Sequence, residues 1–232
     1  METTHIMLEG RAIALAIRRL QHARRITLRL SAARDGIILT LPKRTPVAQG
    51  MDFFHSKRAW ILEHVASDSG VSIRDGAIIP ILGTDCIIRH RQGRGVTCLE
   101  SRPEGNLLYI YGEPAFTQRR VCDFLKKHML AHCTRRAKAL ATMIGKTVSG
   151  VRLRDMRACW GTCSAKGVLS FNWRLVFAPA DVLDYLIAHE VAHLAEMNHS
   201  ARFWKTVAIL CPHAQTSRRW LRKEGHLLHR YG

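Results

Sequence analysis

The sequence lacks any apolar run approaching the roughly 18 uninterrupted residues that a membrane-spanning helix requires, so no membrane partner is expected. It also lacks the uninterrupted core of a signal peptide, because Arg11, Arg18 and Arg19 break up its first apolar stretches. An Arg-rich, acid-poor start is compatible with a transit peptide, but the alternation Ile13, Leu15, Ile17 reads better as a strand. A cytoplasmic chain is therefore the expectation. There is no disulfide framework: the seven cysteines are odd in number and scattered. Cys159 and Cys163 are the closest pair, yet no second pair exists to complete a structural zinc site, and buried reduced thiols are expected instead. No internal repeat or low-complexity tract stands out. Acidic residues are scarce, 18 against 36 Lys and Arg, which leaves a formal net charge of +18. Such a charge attracts polyanions and makes nucleic acid a candidate partner. The basic residues nevertheless run from Arg11 to Arg230 without forming one tract, and charge alone is not a recognition site.

What is present is a globular composition, 47% hydrophobic and 23% charged. At 232 residues the chain can form one or two domains with a real core. The patterning predicts an α+β protein. Ile13 to Ile17, Ile26 to Leu30 and Ile37 to Leu41 alternate like antiparallel strands, separated by basic or Asp-Gly turn segments. Pro42 and Pro46 close the third, and a helix is expected from Val47 to His64 with Phe53, Phe54, Trp60 and Ile61 inward. Further strands are expected at Ile78 to Leu82, Cys86 to His90 and Leu107 to Tyr111, with Gly-Arg-Gly and Pro-Glu-Gly turns between them. The Gly112-Glu113-Pro114 punctuation marks the expected boundary between a basic β-rich region, 1–114, and a helical domain with a small sheet, 115–232. In the latter, helical periodicity covers Phe116 to Ile144 and strands cover Val148 to Leu153 and Val168 to Leu175. A helix then starts near Pro179, and two more span Ala201 to Leu210 and Gln215 to Leu227.

The helix after Pro179 carries His189-Glu190-Val191-Ala192-His193. Residues four apart on a helix differ by about 40° in azimuth, so His189 and His193 leave one face and can chelate one ion. Glu190 lies about 100° round from His189 and suits proton transfer to and from a metal-activated water better than ligation. Val182, Leu183, Leu186, Ile187, Val191 and Leu194 surround these groups, and burying two imidazoles and a carboxyl there is costly without a partner. One Zn²⁺ is the expected partner.

His199 follows His193 by six positions, the spacing in His-Glu-x-x-His-x-x-Gly-x-x-His. On an unbroken helix it points about 120° away from His193, so the helix must end first. Glu196 stands where that pattern has glycine, which makes Asn198, able to adopt a left-handed conformation, the expected break. His199 is the favoured third ligand and Glu196 its rival.

The blocks Trp160-Gly161-Thr162-Cys163-Ser164, Leu169-Ser170-Phe171-Asn172-Trp173-Arg174-Leu175, Ala178-Pro179, Leu183-Asp184-Tyr185, His189 to Leu194, Asn198-His199-Ser200 and Phe203-Trp204 closely resemble the YgjP-like metallopeptidase family. That family is a bacterial zincin group, with SprT-like and Wss-like proteases as more distant relatives. The strongest match spans Arg157 to Trp204, and Lys57-Arg58-Ala59-Trp60-Ile61 with the basic β-rich first half resembles the family too. The resemblance implies a zincin-like fold, peptide or protein substrates, zinc on His189, His193 and His199, and a catalytic Glu190. It also implies that the strand Val168 to Arg174 offers its edge to substrate, with Arg157, Trp160 and Asn172 as candidate cleft residues. Trp160, Phe203 and Trp204 read more readily as core aromatics than as substrate contacts, and neither Arg157 nor Tyr231 is assigned as an oxyanion stabiliser. The competing reading is a DNA-associated protease, or a basic nucleic-acid-binding protein whose zinc is structural.

Overall fold

A computed structural model describes residues 2–31, 36–65, 71–103 and 105–231. The chain is α+β and divides into two compact units, 1–69 and 70–232. The expected division at 114 is thus displaced, for a packing reason. Ile79, Ile81, Ile88, Leu108 and Ile110, all assigned by sequence to the first region, share one buried cluster with Val121, Leu125 and Met129 of the long helix that follows. A sheet that buries its open face against a helix folds with that helix.

The first unit contains β1 (Glu2–Leu8), β2 (Arg11–Leu20), β3 (Thr27–Leu30), β4 (Gly36–Pro42), α1 (Val47–Ser56) and α2 (Arg58–His64). Its sheet runs in the order β1-β2-β4-β3. The outer pairs are antiparallel, but the central pair β2 and β4 is parallel, with Leu15 opposite Ile37 and Ile17 opposite Leu39. The all-antiparallel expectation therefore fails at the centre, where strands adjacent in the sheet are not adjacent in sequence. The single helix expected from Val47 to His64 is two, broken at Lys57. Phe54 and Ile61 each bury completely, against Ile13, Leu15, Leu39 and Leu41. The turn expected at Asp35-Gly36 lies partly outside the described residues.

The second unit begins with β5 (Ile78–Ile81), β6 (Thr84–Arg91), β7 (Cys98–Arg102) and β8 (Gly105–Tyr111), ordered β5-β6-β8-β7. Again the outer pairs are antiparallel and the central pair is parallel. The strand plan of the first unit is thus repeated, although no repeat is visible in the residues. Even the first turn matches. Glu9-Gly10 and Leu82-Gly83 are two-residue connections with both residues at positive φ, 48° and 75° in one, 49° and 83° in the other. This is the turn whose twist suits a tight hairpin. In the second unit it is put to use: Leu82 N–H donates to the Val176 carbonyl at 2.8 Å, and a Cβ on Gly83 would stand 3.2 Å from Pro179 Cα.

Helix α3 (Thr117–Met143) covers this sheet, burying Val121, Leu125, Met129, Cys133, Ala137 and Leu140 on one stripe. A three-stranded sheet follows from β9 (Gly150–Arg154), β10 (Gly161–Cys163) and β11 (Val168–Asn172), ordered β10-β11-β9. The strand expected to reach Leu175 stops at Asn172, whose side chain accepts from Arg174 N–H and starts a 3-10 turn, Trp173–Phe177. Then come α4 (Ala180–Ala192), α5 (Ala201–Leu210), α6 (Ala214–Glu224) and a 3-10 segment, Gly225–Arg230. No described helix is long and apolar enough to cross a membrane. All seven cysteines are free.

Candidate metal centre

Helix α4 is apolar almost all round, with Val182, Leu183, Leu186, Ile187, Ala188 and Val191 buried, so it runs through the core. Its last turn presents His189 and Glu190, and His193 caps its C-terminus. The helix therefore ends well before Asn198, correcting the expected break. No residue between His193 and Ser200 has a positive φ. Termination is instead a side-chain matter. His193 Nδ1 donates to the Glu196 carbonyl at 3.0 Å, occupying main chain beyond the helix end and fixing the ring. Asn198 organises the start of the next helix instead. Its Oδ1 accepts from Ser200 N–H at 3.1 Å, and the Ser200 hydroxyl caps α5 by accepting from Phe203 N–H.

This reversal returns His199 to the face of α4. His199 Nε2 lies 3.2 Å from His189 Nε2, and one ligand atom from each of His189, His193 and His199 lies within 4.8 Å of the others. Tetrahedral zinc with bonds near 2.0–2.1 Å separates its ligand nitrogens by about 3.3 Å, so the three imidazoles need little movement to accept an ion. The donor set fits in chemistry as well. Since a carbonyl can only accept, His193 Nδ1 carries the hydrogen and leaves the Nε2 lone pair for metal. Burial, helped by the neighbouring His193, His199 and Arg218, holds His189 neutral by lowering its pKa to about 4. Burial likewise lowers His193. Among the described residues these three histidines are the one cluster of His, Cys, Asp or Glu suited to a metal, and Glu196 is not in it. Its part is the carbonyl that holds His193.

Phe203 is fully buried beneath the cluster, its ring centroid 4.5 Å from His193, 4.8 Å from His199 and 4.9 Å from His189. It is both core aromatic and platform. His189 Nδ1 is buried with no hydrogen-bond partner among the described residues. Glu190 is 3% exposed and burial raises its carboxyl to about 8. It is seated on Gly161 of β10, where a Cβ would fall 2.5 Å from Glu190 Oε1. Only glycine leaves the carboxyl this place.

A cavity of about 350 Å³ opens beside His189 and Glu190, walled by Trp160, Tyr185, Arg218 and Arg222. Trp160 lines this cavity, its ring 4.9 Å from that of His229. Asn172 does not. It is completely buried, with Nδ2 donating to the Met156 carbonyl and Oδ1 accepting from Arg174 N–H, so it organises the turn after β11 and cannot touch substrate. Arg157 is exposed between β9 and β10, does not line this cavity, and acts on Asp155 through its charge. Tyr231 stacks on Phe177 at 4.1 Å and its carbonyl accepts from Arg174 Nε at 2.8 Å, also away from the cavity. The strand expected to offer its edge, β11, is the central one; among the described residues the edge strand beside Glu190 is β10. Sequence reasoning missed Tyr185, Arg218 and Arg222. Tyr185 was findable, since it stands four residues before His189 on the same helix face.

The chain matches the YgjP-like metallopeptidase domain over residues 24–224. It belongs to the YgjP-like metallopeptidase family. The match takes in most of both units, so the YgjP-like domain is larger than the segment that bears the histidines. Among curated proteins, none matches this YgjP-like chain. Among solved structures it is similar to the metallopeptidase zymogen of Pyrococcus abyssi abylysin, with 22% identity over 40% of this chain and 95% of that one. The TM-score of 0.37 is too low for that likeness to carry an argument.

Proposed function

We propose that this metallopeptidase cleaves peptide bonds with one zinc ion held by His189, His193 and His199, and with Glu190 as general base. The observation that carries the reading is the convergence of three imidazoles beside a buried carboxyl. When bound, zinc supplies Lewis-acid polarisation of the scissile carbonyl and lowers the pKa of water. The protein supplies the rest. His193 is oriented by the Glu196 carbonyl, and Phe203 supports all three rings. Glu190 takes the proton of the attacking water and returns it to the leaving amine. Its exclusion from solvent gives it the high proton affinity that a base working near neutral pH needs. The outer edge of β10, which has no strand partner among the described residues, pairs with extended substrate main chain, a mode of binding that demands no particular sequence.

The test combines metal content with turnover. Near-equimolar zinc by mass spectrometry in wild type, falling sharply in His199→Ala, supports the ligand set; zinc retained in that variant returns Glu196 to it. Glu190→Gln should keep zinc and lose activity by about 10²–10⁴-fold or more. An unchanged rate in Glu190→Gln removes the general-base role.

A further inference from the structure

We infer that the cavity beside His189 and Glu190 is a subsite for a carboxylate of the substrate, bound by Arg218 and Arg222; this rests on the peptidase reading. The two arginines stand four residues apart on α6, hence on one face, and both line the cavity. Like charges at this spacing disfavour the helix. Neither arginine forms an ion pair with a carboxylate among the described residues, unlike Arg136 and Arg174 of the same unit, which hold Asp184 and Asp155. A guest carboxylate supplies the missing counter-charge.

Arg218 is also preset for such a guest. Its guanidinium lies 4.5 Å from the Trp204 ring centroid, and a guanidinium held on an aromatic face can still offer its N–H groups to a carboxylate. The wall also carries the apolar side chains of Trp160, Leu186 and Leu221, and both arginines are exposed to solvent. The one acid in the wall, Glu190, is buried against Gly161 and not bonded to either arginine. A cavity of about 350 Å³ is in the range that takes a small ligand or a side chain with some main chain. Two kinds of peptide carry the required group: one with Asp or Glu next to the scissile bond, and one ending in its free carboxylate there.

Zinc-loaded full-length protein is assayed on two pairs of peptides. One pair is capped at both ends and differs only as Glu or Gln beside the scissile bond. The other is uncharged along its length and differs only as a C-terminal acid or amide. At least one pair should be split by about tenfold or more in kcat/KM in favour of the charged member, the scale of a charge-assisted hydrogen bond. Arg222→Gln should shrink that ratio to within about twofold, as expected when such a bond is lost. The double variant Arg218→Glu, Arg222→Glu should invert it in favour of the uncharged member. Equal rates within both pairs, or a preference that survives Arg218→Gln with Arg222→Gln, overturns the inference. Absence of all cleavage in zinc-bound wild type counts against the peptidase reading itself. The subsite is then judged by binding of the same peptides to Glu190→Gln protein. A tenfold preference for the charged member that Arg222→Gln removes supports the subsite, and equal affinities reject it.

Discussion

The two four-stranded sheets share one plan and meet different ends. Both place a parallel pair between antiparallel outer strands, and both join their first two strands by a turn with two positive φ values. The first sheet closes its core with α1 and α2. That core is apolar, Thr40 being its one buried polar residue among those described. The second covers its open face with α3 and shares its core with α4, which brings Glu190 inside, while the 3-10 turn before α4 buries Arg174. A strand plan is therefore only a platform. Which helix lies on it decides whether the platform supports chemistry. The first turn makes the same point: a Cβ on Gly10 meets nothing within 4 Å, whereas Gly83 faces Pro179 at the start of α4.

The largest expected effect comes from emptying each core. Leu39→Ala and Leu108→Ala remove fully buried side chains, and each should cost about 2–5 kcal/mol in chemical denaturation. Only Leu108→Ala should also lower zinc retention, because only that core is continuous with α4. Equal loss of zinc in both variants breaks the comparison.

Next comes pH. In metal-free protein the folded pKa of Glu190, about 8, lies above its unfolded value, so the folded state binds the proton more tightly. The Glu190 contribution to stability is full below the ordinary glutamate range and is lost as pH rises toward 8, by on the order of a few kcal/mol, while the lowered His189 works in the opposite sense below its ordinary value of 6.5. Glu190→Gln should remove the fall, as read by denaturant midpoints between pH 6.5 and 8. A slope that persists in the variant assigns the effect elsewhere.

The turns give a smaller and more local contrast. Gly10→Ala should cost about 1 kcal/mol, the ordinary penalty for a left-handed non-glycine residue. Gly83→Ala adds a close approach to Pro179 main chain and should cost about 2 kcal/mol or more, with reduced peptidase activity as well. Matching losses, with activity intact in both, mean that the second turn does not help seat α4.

The smallest effect belongs to Asp184 on α4, whose carboxyl is bonded by Arg136 of α3 at 3.2 Å and faces His132. These partners, His132 first, hold its pKa below the ordinary value. Its contribution is present above the ordinary aspartate range and is lost as pH falls through the lowered folded pKa. Because the pair is partly exposed, Asp184→Asn should cost under about 1 kcal/mol at neutral pH and reduce the loss of stability on acidification.

Elements with a strong apolar period were legible in the sequence: α3 and α5 lie within a residue of their expected bounds. The edge strand β7 was not, because four of its five residues, Cys98, Glu100, Ser101 and Arg102, are exposed and carry no inward alternation. The parallel central pairs were also invisible, since pairing between strands separated by another strand has no local signature. Part of the site was as readable as α3, with His189 and His193 on one face and a buried glutamate between them. Asn172 was misplaced because a fully buried asparagine and a cleft asparagine look alike until hydrogen-bond partners are known. The end of α4 was misplaced because a histidine side chain, not a left-handed residue, captures the main chain beyond it.

By itself the sequence determined that α4 is a buried helix presenting two imidazoles and a carboxyl, because the 3.6-residue period is a local property. Tertiary structure decided what no local period contains. It returned His199 to the other two histidines, set Glu190 against a glycine from another strand, and brought Arg218 and Arg222 to the same cavity. Each of these depends on distances between residues far apart in the chain, and packing alone sets those distances.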